Sequence, residues 1–480
     1  MNSLTKLWAL ITGVSILILT PCFWQQRLIA GDMSSHAYNA WLAGEIREGR
    51  APGMSIVSIW TNVLTDWGLD RLSGDVGSEL ATKLIAGSAV LVFFWGAFFL
   101  LHSISSRRPW ALCPLLGILT YGVIFHLGFL NFYLSVGLCL WILGLLWHPS
   151  PRTLACAVPL VMLAILAHAL PIAWAAAVLG YRHAFHNLPA SKRFLLPILS
   201  ILGLIVSQQV LLRTFESRWS WSQVGLTGFA GADQAWIYDN KYLAIAASLL
   251  VCMVMIFLER ARHRSFSADP ALHIWILHLA AGVLIPAAIQ FPQYQNALAY
   301  IPLRISLLTA ISFCIMVSEI RPSRGVTRVL AVVAVAFFAC LYLDSAALNR
   351  AETDVARIVH EAPAGARVVA MVIDEGARVN GLAHVADRAC IGHCFSYANY
   401  EPATAQFRIR VTGESGGAAA PTMQAVREME RSEHIVTPVE APLHAVCPCE
   451  KDAATLCLRR LDAGERTCVS TRMVTFRLLR

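Results

Sequence analysis

The chain has 480 residues, of which 57% are hydrophobic and 14% charged, and its mean hydropathy is +0.58. Soluble domains carry about 25% charged residues, so this composition excludes an ordinary water-soluble globule. The formal charge of +8 does not mark a nucleic-acid surface, because residues 345–480 balance sixteen cations with sixteen acids.

Long apolar runs separated by short polar breaks fill residues 1–344, and an ordinary soluble segment follows. The pattern predicts a polytopic α-helical membrane domain, 1–344, and a small extracytoplasmic α/β domain, 345–480. Eleven spans are expected: 7–24, 82–101, 110–126, 129–147, 153–168, 170–181, 194–213, 242–258, 271–290, 300–318 and 327–343. The first has Lys6 and a short apolar core, as a signal peptide would. Only Leu28-Ile29-Ala30 resembles a cleavage site, so the segment reads as an uncleaved anchor. Residues 153–181 could form one long helix, giving ten spans, but Pro159 and Pro171 favour a broken pair.

Charge sets the orientation. With the N-terminus inside, the inner breaks hold thirteen cations against three acids, and the other breaks hold nine against eleven. Cytoplasmic loops are the Lys/Arg-rich ones. A plasma membrane of the bacterial type then carries loops 25–81, 214–241 and 291–299, and the tail, on its outer face.

In the tail, "ALNRAETDVARIVHEAPAGARVVAMVID" predicts a helix, a Pro/Gly turn and a strand. "HIVTPVE" and the terminal "RMVTFRLLR" read as further strands, and "VTGESGGAAAPT" as a flexible loop. Six of the thirteen cysteines lie here: Cys390, Cys394, Cys447, Cys449, Cys457 and Cys468. In an oxidising compartment they predict a disulfide framework with fifteen pairings open. Their spacing to His384, His393, His434 and His444 matches no standard zinc pattern.

The candidate chemistry begins with "GDMSSHAYNAWLAGEIREGRAPG", residues 31–53. Asp32 opens a predicted helix from Ser34 to Glu48, with His36 one turn on and on the same face. Tyr38, Trp41, Leu42 and Ile46 give that helix an apolar face suited to the membrane interface. The plain reading makes Asp32 a helix cap and His36 wetted surface. The functional reading makes Asp32 a base at the water–lipid boundary. The same layer holds His126, Asn131, His168, Gln293 and Arg304. A cation such as Arg304 inside an apolar span needs a partner or a task, unless it snorkels to water.

With "GFLNFYLSVGLCLWILGLL" and the following "HALP", this layout resembles the GT-C superfamily of membrane glycosyltransferases, which use polyprenyl-phosphate-linked sugars. The resemblance spans roughly residues 1–345 in organisation. It implies that Asp32 is the general base acting on an acceptor hydroxyl; His36 is a catalytic candidate by its place one turn on, with no family counterpart. It implies that Arg304 neutralises the donor phosphate; Asn131, His126, His168 and Gln293 are substrate-binding candidates because they share its layer. A second loop acid is expected from Asp66, Asp70 and Asp75, which the sequence does not rank. Expected partners are a lipid-linked sugar donor, a glycan, lipid or protein acceptor, and membrane lipids, with no nucleic acid. No metal ligands are assigned, and the resemblance leaves room for a divalent metal. The competing classes are a flippase, polymerase or transporter of lipid-linked glycans, and a non-catalytic membrane protein. Transporters favour internal repeats and ionisable groups near mid-membrane, and neither is visible.

Overall fold

The computed structural model describes residues 3–262, 269–372, 376–412 and 417–468, and 64% of the chain is helical. Helix α1 (Ser3–Phe23) is followed by α2 (Met33–Arg47), strand β1 (Met54–Ile56), α3 (Leu64–Val76) and α4 (Ser78–Ser105). Next come α5 (Cys113–Thr120), α6 (Val123–His126), α7 (Leu130–Leu146), α8 (Pro151–Ala167), α9 (Ala169–Asn187) and α10 (Leu195–Thr214). The chain continues through β2 (Glu216–Arg218), α11 (Ser222–Thr227), α12 (Asn240–Ala261), α13 (Pro270–Leu284), β3 (Ala288–Gln290), α14 (Ile301–Val317) and α15 (Arg324–Val359).

Five helical segments are long and apolar enough to cross a membrane: Leu4–Phe23, Ser78–Ser105, Ala190–Thr214, Asn240–Ala261 and Arg324–Val359. Five shorter apolar segments accompany them, Trp110–His126, Leu130–Leu146, Pro151–Ala167, Pro270–Leu284 and Ile301–Val317. Helix α10 buries none of its side chains, and its exposed Ile198, Leu199, Leu202 and Val206 suit lipid rather than water. The pair α8/α9 is broken, because His168 is extended (φ −169°, ψ 128°) and its ring accepts the Leu170 amide as a cap for α9. The expected span 271–290 ends early: α13 stops at Leu284, and residues 288–290 form β3, antiparallel to β2.

Helix α15 runs from the bundle into the tail without interruption, crossing residue 344. The tail adds β4 (Arg367–Val369), α16 (Val385–Cys390), β5 (Phe395–Ser396), α17 (Tyr400–Thr404), β6 (Ile409–Val411), α18 (Met423–Glu430), β7 (Leu443–Cys449) and β8 (Asp452–Leu461). Four strands form one sheet in the order β5-β4-β7-β8. The segment "HIVTPVE" is not a strand: only Ile435 makes a bridge, to Arg466, because Glu440 turns back to bond Thr437 and His434. The expected terminal strand lies outside the described residues. The expected flexible loop begins inside β6 and is tied down at Ala418–Ala420. Those three alanines are buried, and the amides of Ala418 and Ala420 bond Pro52 and Tyr397.

The tail and the first long loop form one body. Strand β1 pairs antiparallel with β6, and one apolar core includes Leu28 and Ile29 with Val368, Leu382 and Val446. The 291–299 loop joins the same end of the bundle through Gln295 N to Thr404 O at 3.2 Å. The 214–241 segment joins it through Arg378, which binds Asp233 at 3.0 Å.

All six tail cysteines are paired, as Cys390–Cys394, Cys447–Cys468 and Cys449–Cys457, while seven cysteines elsewhere remain free. Alkylation of denatured, unreduced protein followed by intact mass measurement should therefore add seven labels, and prior reduction should raise the count to thirteen. Thirteen labels without reductant would remove the disulfide framework. A second prediction concerns Gly128, where φ is +78°. A Cβ there would lie 2.5 Å from Asp32 N and 2.6 Å from Ala30 O. Gly128→Ala should cost at least roughly 1–3 kcal/mol from the left-handed backbone alone, read as a lowered thermal midpoint. An unchanged midpoint would mean that the start of α2 is not held where described.

Candidate functional site

The start of α2 is clamped between its own chain and the α6–α7 turn. The Asp32 amide donates to Leu127 O at 3.1 Å, and a Cβ on Gly31 would collide with that same carbonyl at 2.3 Å. Asp32 occupies the N-cap position but caps nothing: its backbone is helical and its side chain accepts no amide hydrogen. Its carboxylate instead faces His384 of the tail, Oδ1 to Nε2 at 3.4 Å. The other ring nitrogen of His384 faces Asp387 at 3.4 Å, and Asp387 accepts from the Ser396 hydroxyl. Burial opposes a charge on His384, but the two carboxylates outweigh it and hold the imidazolium up at about 10. The His384 ring also lies against Tyr400, with centroids 5.2 Å apart.

His36 does not turn to water, nor does it pair with Asp32. It is 5% exposed, and its Nδ1 lies 2.8 Å from Asp66 Oδ1 and 3.5 Å from Glu401 Oε1. Asn131 donates to the second oxygen of Asp66 at 2.8 Å and accepts the Thr65 amide at 2.9 Å. Burial pulls His36 down, but Asp66, with Glu401 and Asp32, raises it to about 9. Asp66 is held below the usual carboxylate range: burial opposes its charge, and His36, Arg408 and Asn131 overcome that. Glu401 goes the other way, pushed up to about 7 by burial and by the neighbouring acids Asp66 and Asp32. This ranks the three loop acids. Asp66 belongs to the cluster, Asp70 is committed to Arg47 and Arg408, and Asp75 is exposed.

Arg304 emerges from the first turn of α14. Its guanidinium lies over the rings of Phe129 at 4.6 Å and Phe132 at 5.0 Å. Its Nε and Nη1 are buried and make no hydrogen bond among the described residues. His168 packs on Phe132 at 5.4 Å, and its cap of α9 makes it a structural support of the Arg304 cradle rather than a free ligand group.

Two expected members lie elsewhere. His126 turns away, with Nδ1 3.3 Å from the Tyr238 hydroxyl, and lines a small cavity with Trp24, Tyr121 and Leu341. Gln293 is exposed on a turn, whose neighbours bind the tail instead: Asn296 O accepts from Gln406, and Gln295 O from Arg427. The residues missed by sequence reasoning are His384, Asp387, Tyr400, Glu401 and Arg408, all from the tail. Only the i, i+3 pair His384/Asp387 carried a local signal. Among the described residues no three His, Cys, Asp or Glu side chains are arranged to hold a metal ion.

The site dictates a pH response. His36 and His384 have folded-state values raised above their ordinary one, so each contributes stability that is complete below about 6.5 and is lost as pH rises through about 9 and about 10. Glu401, raised to about 7, binds its proton more tightly in the fold, so its ionisation also lowers stability as pH rises. The thermal midpoint of the wild type should fall steadily from pH 6 to pH 10. In His384→Gln the fall should be shallower. Equal slopes in both proteins would show that the His384 charge is not held by Asp32 and Asp387.

Comparison with family models, curated proteins and solved structures finds no match for this chain.

Proposed function

We propose that this protein is a membrane glycosyltransferase of the GT-C kind. In this reading it crosses a membrane eleven times and holds the 25–81 loop and the tail on the extracytoplasmic side. It moves a sugar from a polyprenyl-phosphate donor to a hydroxyl group of a glycan, lipid or protein acceptor. The observation that carries the reading is an arginine with two buried N–H groups, unbonded among the described residues, packed on the same α6–α7 turn that holds the partly open carboxylate Asp32. Buried donors are normally bonded, and a planar guanidinium with two free N–H groups matches a phosphate. Asp32 is 27% exposed at its side chain, so an acceptor hydroxyl can reach it.

The transfer is then a single displacement. The acceptor oxygen attacks the anomeric carbon while Asp32 takes its proton. The bond from that carbon to the phosphate oxygen breaks, its electron pair stays on the polyprenyl phosphate, and Arg304 offsets the charge that develops there. His384 fixes the direction of the Asp32 carboxylate, as a positioning residue. His36, Asp66 and Asn131 form the closed network that anchors α2 behind it.

Removing a positioned base typically costs 10²–10⁴-fold in rate, so Asp32→Asn should keep its fold and lose activity on that scale. Arg304→Lys should retain part of the activity, and Arg304→Met very little. A structural arginine would be missed on heating, whereas one with two unbonded buried donors should not be. The thermal midpoint of Arg304→Met should therefore equal or exceed that of the wild type. Wild-type glycan transfer by folded Asp32→Asn would sink the base assignment. If Arg304→Met alone abolished transfer, the site would be a lipid-phosphate carrier, as in a flippase.

A further inference from the structure

A second cleft lies at the C-terminal end of α16, where the segment after α1, the start of α4 and the C-terminal part of α15 meet. It encloses about 420 Å³ and is lined by Arg27, Glu79, Leu80, Glu352 and Arg388, among others. Two acids and two guanidinium groups alternate around it without closing. Arg388 Nε stands 3.4 Å from Glu352 Oε1, and Arg388 Nη1 stands 3.7 Å from Glu79 Oε2. Arg27 Nε stands 3.7 Å from Glu79 Oε1. None of these contacts is a hydrogen bond. Nε and Nη1 of Arg388, Oε1 of Glu352 and Oε2 of Glu79 are all buried without a hydrogen-bond partner among the described residues. The side chains of Arg388 and Glu352 are each only 3% exposed. Buried charges left so incompletely satisfied are costly, and two orphan donors beside two orphan acceptors describe a ligand carrying both kinds of group.

The surroundings indicate what carries them. Leu80 lines the cleft and is 44% exposed, and Leu84, one turn further along α4, is 37% exposed. The next turn brings Gly87, where a Cβ would touch Leu19 and Phe23 of α1, and Phe23 is 44% exposed. A polar chamber thus opens onto an apolar strip between two helices of membrane-spanning character.

We propose that this cleft binds one phospholipid with a primary-amine headgroup, its phosphodiester on Arg388 and Arg27, its ammonium on Glu79 and Glu352, and its acyl chains along Leu80, Leu84 and Phe23. The ammonium supplies N–H donors to the orphan carboxylate oxygens, which a quaternary choline does not. The phosphodiester supplies acceptors to the orphan guanidinium N–H groups. A purely anionic headgroup would leave Glu79 unanswered, and a free sugar would leave the apolar strip bare. The inference rests on the membrane character of α1 and α4 and not on sugar transfer.

Delipidated protein in detergent micelles, titrated with defined lipids and read by native mass spectrometry, tests this. Phosphatidylethanolamine should be retained at one molecule per chain, ahead of phosphatidylcholine and phosphatidylglycerol. Glycerophosphoethanolamine, the headgroup without chains, should not be retained. Rim variants Glu79→Gln and Arg27→Gln, chosen because Glu79 is 41% and Arg27 19% exposed, should fold normally. Each should weaken phosphatidylethanolamine retention by about tenfold, the scale of one charge-assisted contact. The proposal is overturned if phosphatidylglycerol or phosphatidylcholine binds as well as phosphatidylethanolamine. It is equally overturned if the chainless headgroup binds as tightly, or if both folded variants keep wild-type retention.

Discussion

Charge exchanged between the first long loop and the tail holds the functional end of this molecule together. Asp32 meets His384, His36 meets Glu401, and Asp70 meets Arg408, each pair joining residues more than 300 positions apart. Groups so deeply placed are tolerated only with partners, because an uncompensated buried charge is strongly destabilising. The tail therefore cannot be an independent appendage. Removing it would strip Asp32 of His384 and Asp70 of Arg408 and leave the face of α2 that packs on Phe395 and Ser396 open. The β1–β6 ladder and the shared apolar core add backbone bonds and buried area to the same junction, but the charges fix its register.

Against that background Arg304 stands out by contrast. Asp32, His36, Asp70 and Asp233 each have an opposite charge within 4.0 Å, while Arg304 rests on two phenyl rings. The aromatic faces offer a partial substitute for a counter-ion, worth about 2 kcal/mol when desolvated, and they leave its in-plane N–H groups unspent. An arginine arranged this way is preorganised for a planar or tetrahedral anion and costs little reorganisation when one arrives.

Much of the helical frame was legible, because apolar length is a local signal. The eleven apolar segments overlap helices, the expected 271–290 only as far as Leu284, and among the described residues five helices are long and apolar enough to stand as crossings. The break at His168 was readable from the prolines on either side. Asp32 and Arg304 both pack on the α6–α7 turn, Asp32 through Leu127 and Arg304 over Phe129. What stayed hidden was the partner set. Nothing in "ANYEPAT" marks Glu401 as a neighbour of His36, since the pairing depends on how the tail sheet docks. His126 was misplaced because position along a span does not give rotation about it: the α5–α6 break at Gly122 turns its ring toward Tyr238. The short strands β7 and β8 escaped because their Cys- and Pro-containing alternation is weak, and disulfides reinforce it in the fold.

Asp32 and Asp66 end in opposite environments. Asp66 has one oxygen on His36 and the other on Asn131, and its carboxyl is held below the ordinary range. It is a poor proton acceptor and a good anchor. Asp32 has one contact, with His384, and open lone pairs facing the exposed side. Divergent environments for nearby carboxyls are how one fold separates a supporting charge from a working base. Glu401 occupies the middle ground, raised to about 7 beside the His36–Asp66 pair. A proton reaching this network therefore settles on Glu401 before Asp66, and α2 keeps its ionic anchor.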